Sequence, residues 1–142
     1  MVLPANKIRD LLACNPDPSI RDITLLKTGR HFRFSPTCKI IVGRDQKENE
    51  ILESLAHTND SLITIEGYGS PTTLVSGIIT DEALLVAASL CARYSDAKGL
   101  SLVHARVASR DSTYTIRVSR ARNEIIETLR IDRAQKKDAV KA

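Results

Sequence analysis

Between Arg30 and Val42 the chain reads RHFRFSPTCKIIV, and its side chains alternate. Phe32 and Phe34 fall two residues apart, as do Ile40 and Val42, with His31, Arg33 and Lys39 interleaved. A period of two belongs to extended backbone, where successive side chains point to opposite faces. Ser35-Pro36-Thr37 supplies the turn between the two runs, since proline presets its own φ and cannot donate to a ladder. The segment predicts an antiparallel hairpin with Phe32, Phe34, Ile40 and Val42 facing the core. His31, Arg33 and Lys39 then face solvent, with Arg30 and Arg44 at the hairpin's ends. A lone hairpin is marginal in water, so further elements must cover its apolar face.

Pro4 to Asn15 carries Ile8, Leu11 and Leu12 at helical spacing and predicts a short amphipathic helix that stops before NPDPS. Ile23 to Leu26 reads as a β-prone run broken by Gly29. Asp45 with Glu48 three residues on is a capping-box-like start for a helix running to about His57, its stripe made by Ile51, Leu52, Leu55 and Ala56. Leu62 to Ile65 and Thr72 to Ser76 are strands separated by the Glu66 to Pro71 turn. Thr80 caps the longest helix, with Asp81 and Glu82 in its first turn. Ala83, Leu84, Ala87, Ala88, Cys91 and Tyr94 form its buried stripe, and Lys98-Gly99 resembles its stop. Small residues on that stripe imply close packing on a sheet. Leu102 to Val107 and Thr113 to Val118 form a second hairpin. Glu124 to Ile131 fits either a strand or a helix and is assigned to a strand. The basic stretch DRAQKKDAVKA is expected to be a frayed helix or a mobile tail over about 132–142. The fold class expected is α+β, a mostly antiparallel sheet packed by two main helices, with a short N-terminal helix.

A length of 142 residues with 42% hydrophobic side chains suits one core, and residues 1–142 are expected to form a single domain. The net charge of +4 permits an acidic partner without requiring one. Cys14, Cys38 and Cys91 are odd in number and lack metal-ligand spacing, so they are expected to be reduced, partly buried thiols. No stretch is apolar enough for a signal peptide or a membrane span, which sets the expectation of a soluble, cytoplasmic protein without a membrane partner.

Catalytic signatures are missing from the sequence. There is no phosphate-binding GxxxxGK[ST] loop, and Gly67-Tyr68-Gly69 lacks the third glycine and helix entry of a dinucleotide fingerprint. His31, His57 and His104 have no ligand spacing, so no metal or other cofactor is expected. Cys91 on a buried stripe packs as a small hydrophobe. The cationic ribbon of Arg30, His31, Arg33, Lys39 and Arg44 has two readings, a phosphate-tracking surface or a charged solvent face that protects a sheet edge. Tyr68, in its glycine-rich loop, offers a ring on which a base can stack.

Two strings decide between them. VGRDQKENE at Val42 to Glu50 and ARYSDAK at Ala92 to Lys98 together resemble the RNA-binding domain of the NFACT proteins, a translation-quality-control family. NPDPS at Asn15 to Ser19, LLKTGRHFRFS at Leu25 to Ser35 and RYSDAK at Arg93 to Lys98 are similar to a related C-terminal domain fused to some bacterial thiouridine synthases of the ATP-pyrophosphatase class. The likeness runs from about Leu11 to Ile131. One departure is clear: the NFACT domain usually has a Trp and a His on the strand after its first long helix, and Ser61 to Ile65 offers neither. The resemblance implies a non-catalytic module that binds RNA, above all tRNA, for a thiouridine-forming enzyme. On the hairpin's charge pattern the contacts are expected from Arg30, His31, Arg33, Lys39 and Arg44, with Arg93, Lys98, Arg106 and Tyr68 as further contributors, and the resemblance adds a synthase domain or subunit as a second partner. In this picture Arg44 stays free while Asp45 and Glu48 cap the helix. The alternative is a protein-interaction or regulatory module docking on a synthase or another translation-related protein.

Overall fold

Both faces of the predicted hairpin are covered, and this decides where its charged side chains go. A computed structural model describes residues 5–131. The expected 132–142 tail lies outside that range. Along the chain come α1 (Ala5–Cys14), α2 (Ile20–Leu25), β1 (Arg30–Ser35), β2 (Cys38–Val42), α3 (Gln46–Leu55), β3 (Ser61–Ile65), β4 (Thr73–Gly77), α4 (Asp81–Arg93), β5 (Val103–Ala108), β6 (Thr113–Val118) and α5 (Asn123–Leu129). The strands form one sheet in the order β1-β2-β4-β3-β5-β6, antiparallel at every pairing. The fold is therefore α+β with a short N-terminal helix, as the sequence predicts. None of the described helices is long and apolar enough to cross a membrane.

Phe32 pairs with Ile40 and Arg30 with Val42, so the hairpin has the register that alternation predicts. Its inner face meets α4, whose Ala83, Ala87, Ala88 and Cys91 let the helix lie close over Ile63, Val75, Ala105 and Val107. The Thr80 side chain caps this helix by accepting from Ala83 N–H at 3.1 Å. α4 ends at Arg93, earlier than the Lys98-Gly99 stop expected, because Tyr94 already leaves helical geometry. Gly99 instead takes a left-handed φ of +86° in the following turn.

The other hairpin face is not open to solvent. Leu25, Ile41, Leu52 and Leu74 form a second, smaller core between the sheet and the helices α2 and α3. His31 on this face is 0% exposed. Its Nε2–H points to the carbonyls of Leu25 and Thr28, both at 2.9 Å, so it ties the α2-to-β1 connection to the sheet. Burial first, then the nearby Lys39 and Lys7 charges, hold its pKa well below 6.5, and the imidazole is neutral in the folded protein. Lys39 is only 9% exposed. Arg33 donates through Nε and Nη2 to the Asp10 carboxylate at 3.1 and 2.6 Å, fastening α1 to β1. The expected solvent placement of His31, Arg33 and Lys39 is therefore corrected: they lie beneath α1 and α2.

Two element assignments also change. Ile23 to Leu26 belongs to the end of α2 rather than to a strand, since Ser19 and Asp22 make a reciprocal capping box. Ser19 Oγ accepts from Asp22 N–H at 3.1 Å while the Asp22 carboxylate accepts from Ser19 N–H at 3.0 Å. Residues assigned to a strand after Glu124 form α5, whose Ile126 is buried against the main core. Extended pairing appears only beyond it, where Arg130 bridges to Phe32 and Ile131 N–H donates to His31 O at 3.0 Å. That short return covers the outer edge of β1, which would otherwise present unpaired backbone groups.

At the β2-to-α3 junction, Asp45 accepts from Glu48 N–H at 2.9 Å as expected. The Glu48 carboxylate, however, takes the Arg44 N–H rather than that of Asp45. Asn49 Oδ1 accepts from Thr72 N–H at 2.9 Å, which joins α3 to the start of β4. Gly43 is required here because any Cβ would run into Asn49 Oδ1.

Two stability outcomes follow from this packing. Burial lowers the Lys39 pKa from 10.5 to about 8, with Asp10 opposing the shift and the Arg33 and Lys7 charges adding to it. A folded pKa below the unfolded one means that charged Lys39 is destabilising below pH 8, and that this penalty fades as pH rises toward 10.5. Lys39→Met is expected to raise unfolding free energy at neutral pH by roughly 1–3 kcal/mol. Urea melts at neutral pH and above pH 10 should show the gain shrinking, and a variant less stable than wild type at neutral pH refutes the account. Gly43→Ala is expected to cost roughly 1–3 kcal/mol by displacing Asn49 and orphaning the Thr72 N–H. Adding Asn49→Ala to Gly43→Ala should then cost little more, measured as a double-mutant cycle.

Candidate nucleic-acid interface

The two strings that carry the resemblance lie some 50 positions apart in the chain, yet the fold makes them opposite walls of one cleft. β1 begins with Arg30, β2 runs out into Gly43 and Arg44, β4 is entered through Gly69 to Pro71, and α4 delivers Tyr94 and Asp96 just past its end. Together these segments surround a cleft of about 200 Å³.

Arg30 shares the inner face with Phe32 but sits at the strand's end, beyond the packed core. Its guanidinium carbon lies 4.1 Å above the centroid of the Tyr94 ring, and Nη1 donates to the Gly43 carbonyl at 3.4 Å. A guanidinium stacked in this way is held flat by the ring's negative face. Tyr94 is fixed in turn from below by Phe32, with ring centroids 6.4 Å apart and planes tilted by 45°. Sequence spacing places Tyr94 on the buried stripe of α4, and its partial burial agrees with that, but nothing in the spacing announces the stack on Arg30.

Arg44 is not the free cation expected. It reaches one turn along α3 and donates through Nε and Nη2 to the two Glu48 oxygens at 2.9 and 2.7 Å. That hydrogen-bonded fork, helped by the Gly29 and Arg44 backbone N–H groups and opposed by burial, holds the Glu48 pKa down at about 2. The pairing fixes Arg44 in direction while leaving its side chain 48% exposed. On the facing wall Gly69 accepts from Asp96 N–H at 2.8 Å, and the Asp96 carboxylate occupies the space where a Cβ on Gly69 would stand. Tyr68, next to it in the turn, is 49% exposed.

The remaining expected contacts spread out. Lys98 is exposed just beyond Asp96. Arg93 points away from the cleft and donates to the Ala121 carbonyl at 3.0 Å and to Asn123 Oδ1 at 2.7 Å. Arg106 stands on the sheet opposite Thr64 and Thr115, paired with Glu66 at 3.1 Å in an exposed setting. Such a surface pair contributes little stability. His31, Arg33 and Lys39 lie under α1 and α2, away from the cleft. His31 is withdrawn from any surface contact by burial, Lys39 nearly so, and Arg33 is engaged by Asp10.

The cleft offers the guanidinium groups of Arg30 and Arg44, the Tyr94 ring and close backbone approach at two glycine-containing turns, with the carboxylates of Asp45 and Asp96 beside them; the arginines and the ring are groups that suit phosphates and bases. Cys91, the nearest thiol on α4, donates to the carbonyls of Ile63 and Pro71 at 3.5 and 3.4 Å, and burial raises its pKa. It is therefore a packed side chain and a poor nucleophile.

Comparison with known proteins fits this geometry. No curated protein matches the chain. Among solved structures, the C-terminal part of the fibronectin/fibrinogen-binding protein from Streptococcus suis superposes with a TM-score of 0.64 at 15% identity. The match covers 91% of this chain and 67% of that one, and at such low identity it establishes a shared fold. A family model described as the NFACT protein RNA binding domain matches residues 29–130, which takes in every strand, the helices α3, α4 and α5, and both walls of the cleft. The chain thus belongs to the NFACT RNA-binding domain family.

Proposed function

We propose that this domain binds structured RNA, tRNA above all, through the end of the sheet where Arg30, Arg44 and Tyr94 meet, and that it serves a thiouridine-forming tRNA-modifying enzyme as a non-catalytic module. The observation that carries the proposal is the convergence of the two family strings into one cleft inside the family-matched segment, where Arg30, Arg44 and Tyr94 stand beside Asp45 and Asp96. The thiouridine link rests on NPDPS, LLKTGRHFRFS and RYSDAK, the strings similar to the synthase-fused domain.

Arg30, Arg44 and Lys98 contribute phosphate neutralisation, which gives affinity and orientation with little base preference. Tyr68 presents an exposed ring to an unstacked base. The buried cations of the hairpin act on the fold instead. A second reading, docking on a partner protein, is favoured by the exposed Leu12, Ile20 and Ile23 of α1 and α2.

Fluorescence-anisotropy titration with a tRNA transcript at low and moderate salt separates these cases. The wild-type chain is expected to bind at low salt and to weaken steeply as salt rises. Arg30→Gln with Lys98→Gln should weaken binding about tenfold and shallow the salt slope by about 2, one for each cation withdrawn from the RNA backbone. Lys39→Met should leave affinity unchanged. Absence of tRNA binding at low salt overturns the proposal, and loss of affinity in the Lys39 variant moves the site to the α1 and α2 side.

A further inference from the structure

We propose that Arg93, Arg120 and Arg122 form a second phosphate subsite, which grips an internal phosphodiester of an RNA strand as it passes the end of α4. This rests on the RNA-binding reading above and extends it to Arg120 and Arg122, which neither the resemblance nor the cleft includes. Ser119 to Arg122 connects β6 to α5, and its sequence SRAR alternates two arginines with a small residue. Ala121 is buried, and its N–H donates to the Ser89 carbonyl of α4 at 2.9 Å. Pinned at that point, the connection turns Arg120 and Arg122 outward, where both are exposed. Arg93 then closes the arrangement from α4 by donating to the Ala121 carbonyl and to Asn123 Oδ1.

The three arginines line one recess of about 560 Å³ together with Asn123 and Glu124. Among the described residues no ion pair engages Arg120 or Arg122. The recess is lined by three arginines and one carboxylate, that of Glu124, and an entering anion balances this excess of positive charge. The planar fork of arginine matches a phosphate's paired oxygens, which a lysine's point charge does not. Arg93 and Tyr94 are consecutive, so a strand crossing the end of α4 meets the recess on one side and the Arg30 stack on the other. Charge and placement thus favour an RNA backbone over a small free anion, which would need only one of the two surfaces.

The test uses the full chain and the same tRNA transcript. Arg120→Gln with Arg122→Gln alters two exposed side chains and leaves the Arg93 contacts in place; circular dichroism checks the fold. The double variant is expected to bind at least tenfold more weakly at low salt, with a salt slope shallower by about 2. Restoring charge as Arg120→Lys with Arg122→Lys should recover only part of the affinity if the fork geometry matters. Unchanged affinity in the double Gln variant, while Arg30→Gln with Lys98→Gln still weakens binding, overturns the subsite and leaves the cleft standing. Absence of tRNA binding by the wild-type chain instead removes the RNA-binding reading, and this subsite with it.

Discussion

A strand covered on both faces must find partners inside the protein for every polar side chain it carries. β1 and β2 live under that constraint. α4 covers one face of their hairpin, and α1, α2 and α3 cover the other. His31 meets the constraint at Nε2, which donates to two carbonyls while Nδ1 stays without a partner, and from α1 the buried Lys7 donates to the carbonyls of Leu26 and Gly29 at 3.0 and 3.1 Å. Arg33 meets it by pairing with Asp10. Buried charges of this kind are costly to form but very damaging to break, so they specify one arrangement of the N-terminal helices on the sheet.

The same constraint bears on the proposed RNA-binding site. A guanidinium that fastens α1 to the sheet, as Arg33 does through Asp10, is engaged inside the protein, and His31 and Lys39 beside it are buried, so the charge in the middle of the hairpin is internal architecture. What remains for a partner lies at the end of the sheet and of α4, where the strands stop and backbone turns come to the surface. There the cations are held by geometry: Arg44 stays exposed in its fork to Glu48, and Arg30 lies half-buried over the ring of Tyr94.

Much of this was legible in the sequence. Period-two alternation placed Phe32, Phe34, Ile40 and Val42 on the inner face, and the spacing of Ala83, Leu84, Ala87, Ala88 and Cys91 identified the helix that covers them. The two family strings located the cleft without showing that they meet. The misassigned face followed from reading charge as exposure, although Ile41, close to Lys39 in sequence and on the same face, is an apolar residue with no need of water. Ser19 and Asp22 likewise announced a helix start that the β-branched Ile23 and Thr24 obscured, since local propensity yields to a satisfied cap. The Arg30 stack on Tyr94 depends on tertiary contact between segments far apart in the chain, and no local pattern encodes it.

The two glycines of the cleft also bear on how a ligand is met. Gly43 lies under Asn49 and Gly69 under Asp96, so on each wall a side chain folds over bare backbone and locks the turn beneath it. The conformational entropy of these turns is surrendered when the chain folds, before any ligand arrives. In the proposed RNA-binding role, turns set in advance in this way select by shape at first encounter, and the speed of capture then depends on how the electric field orients the approaching strand.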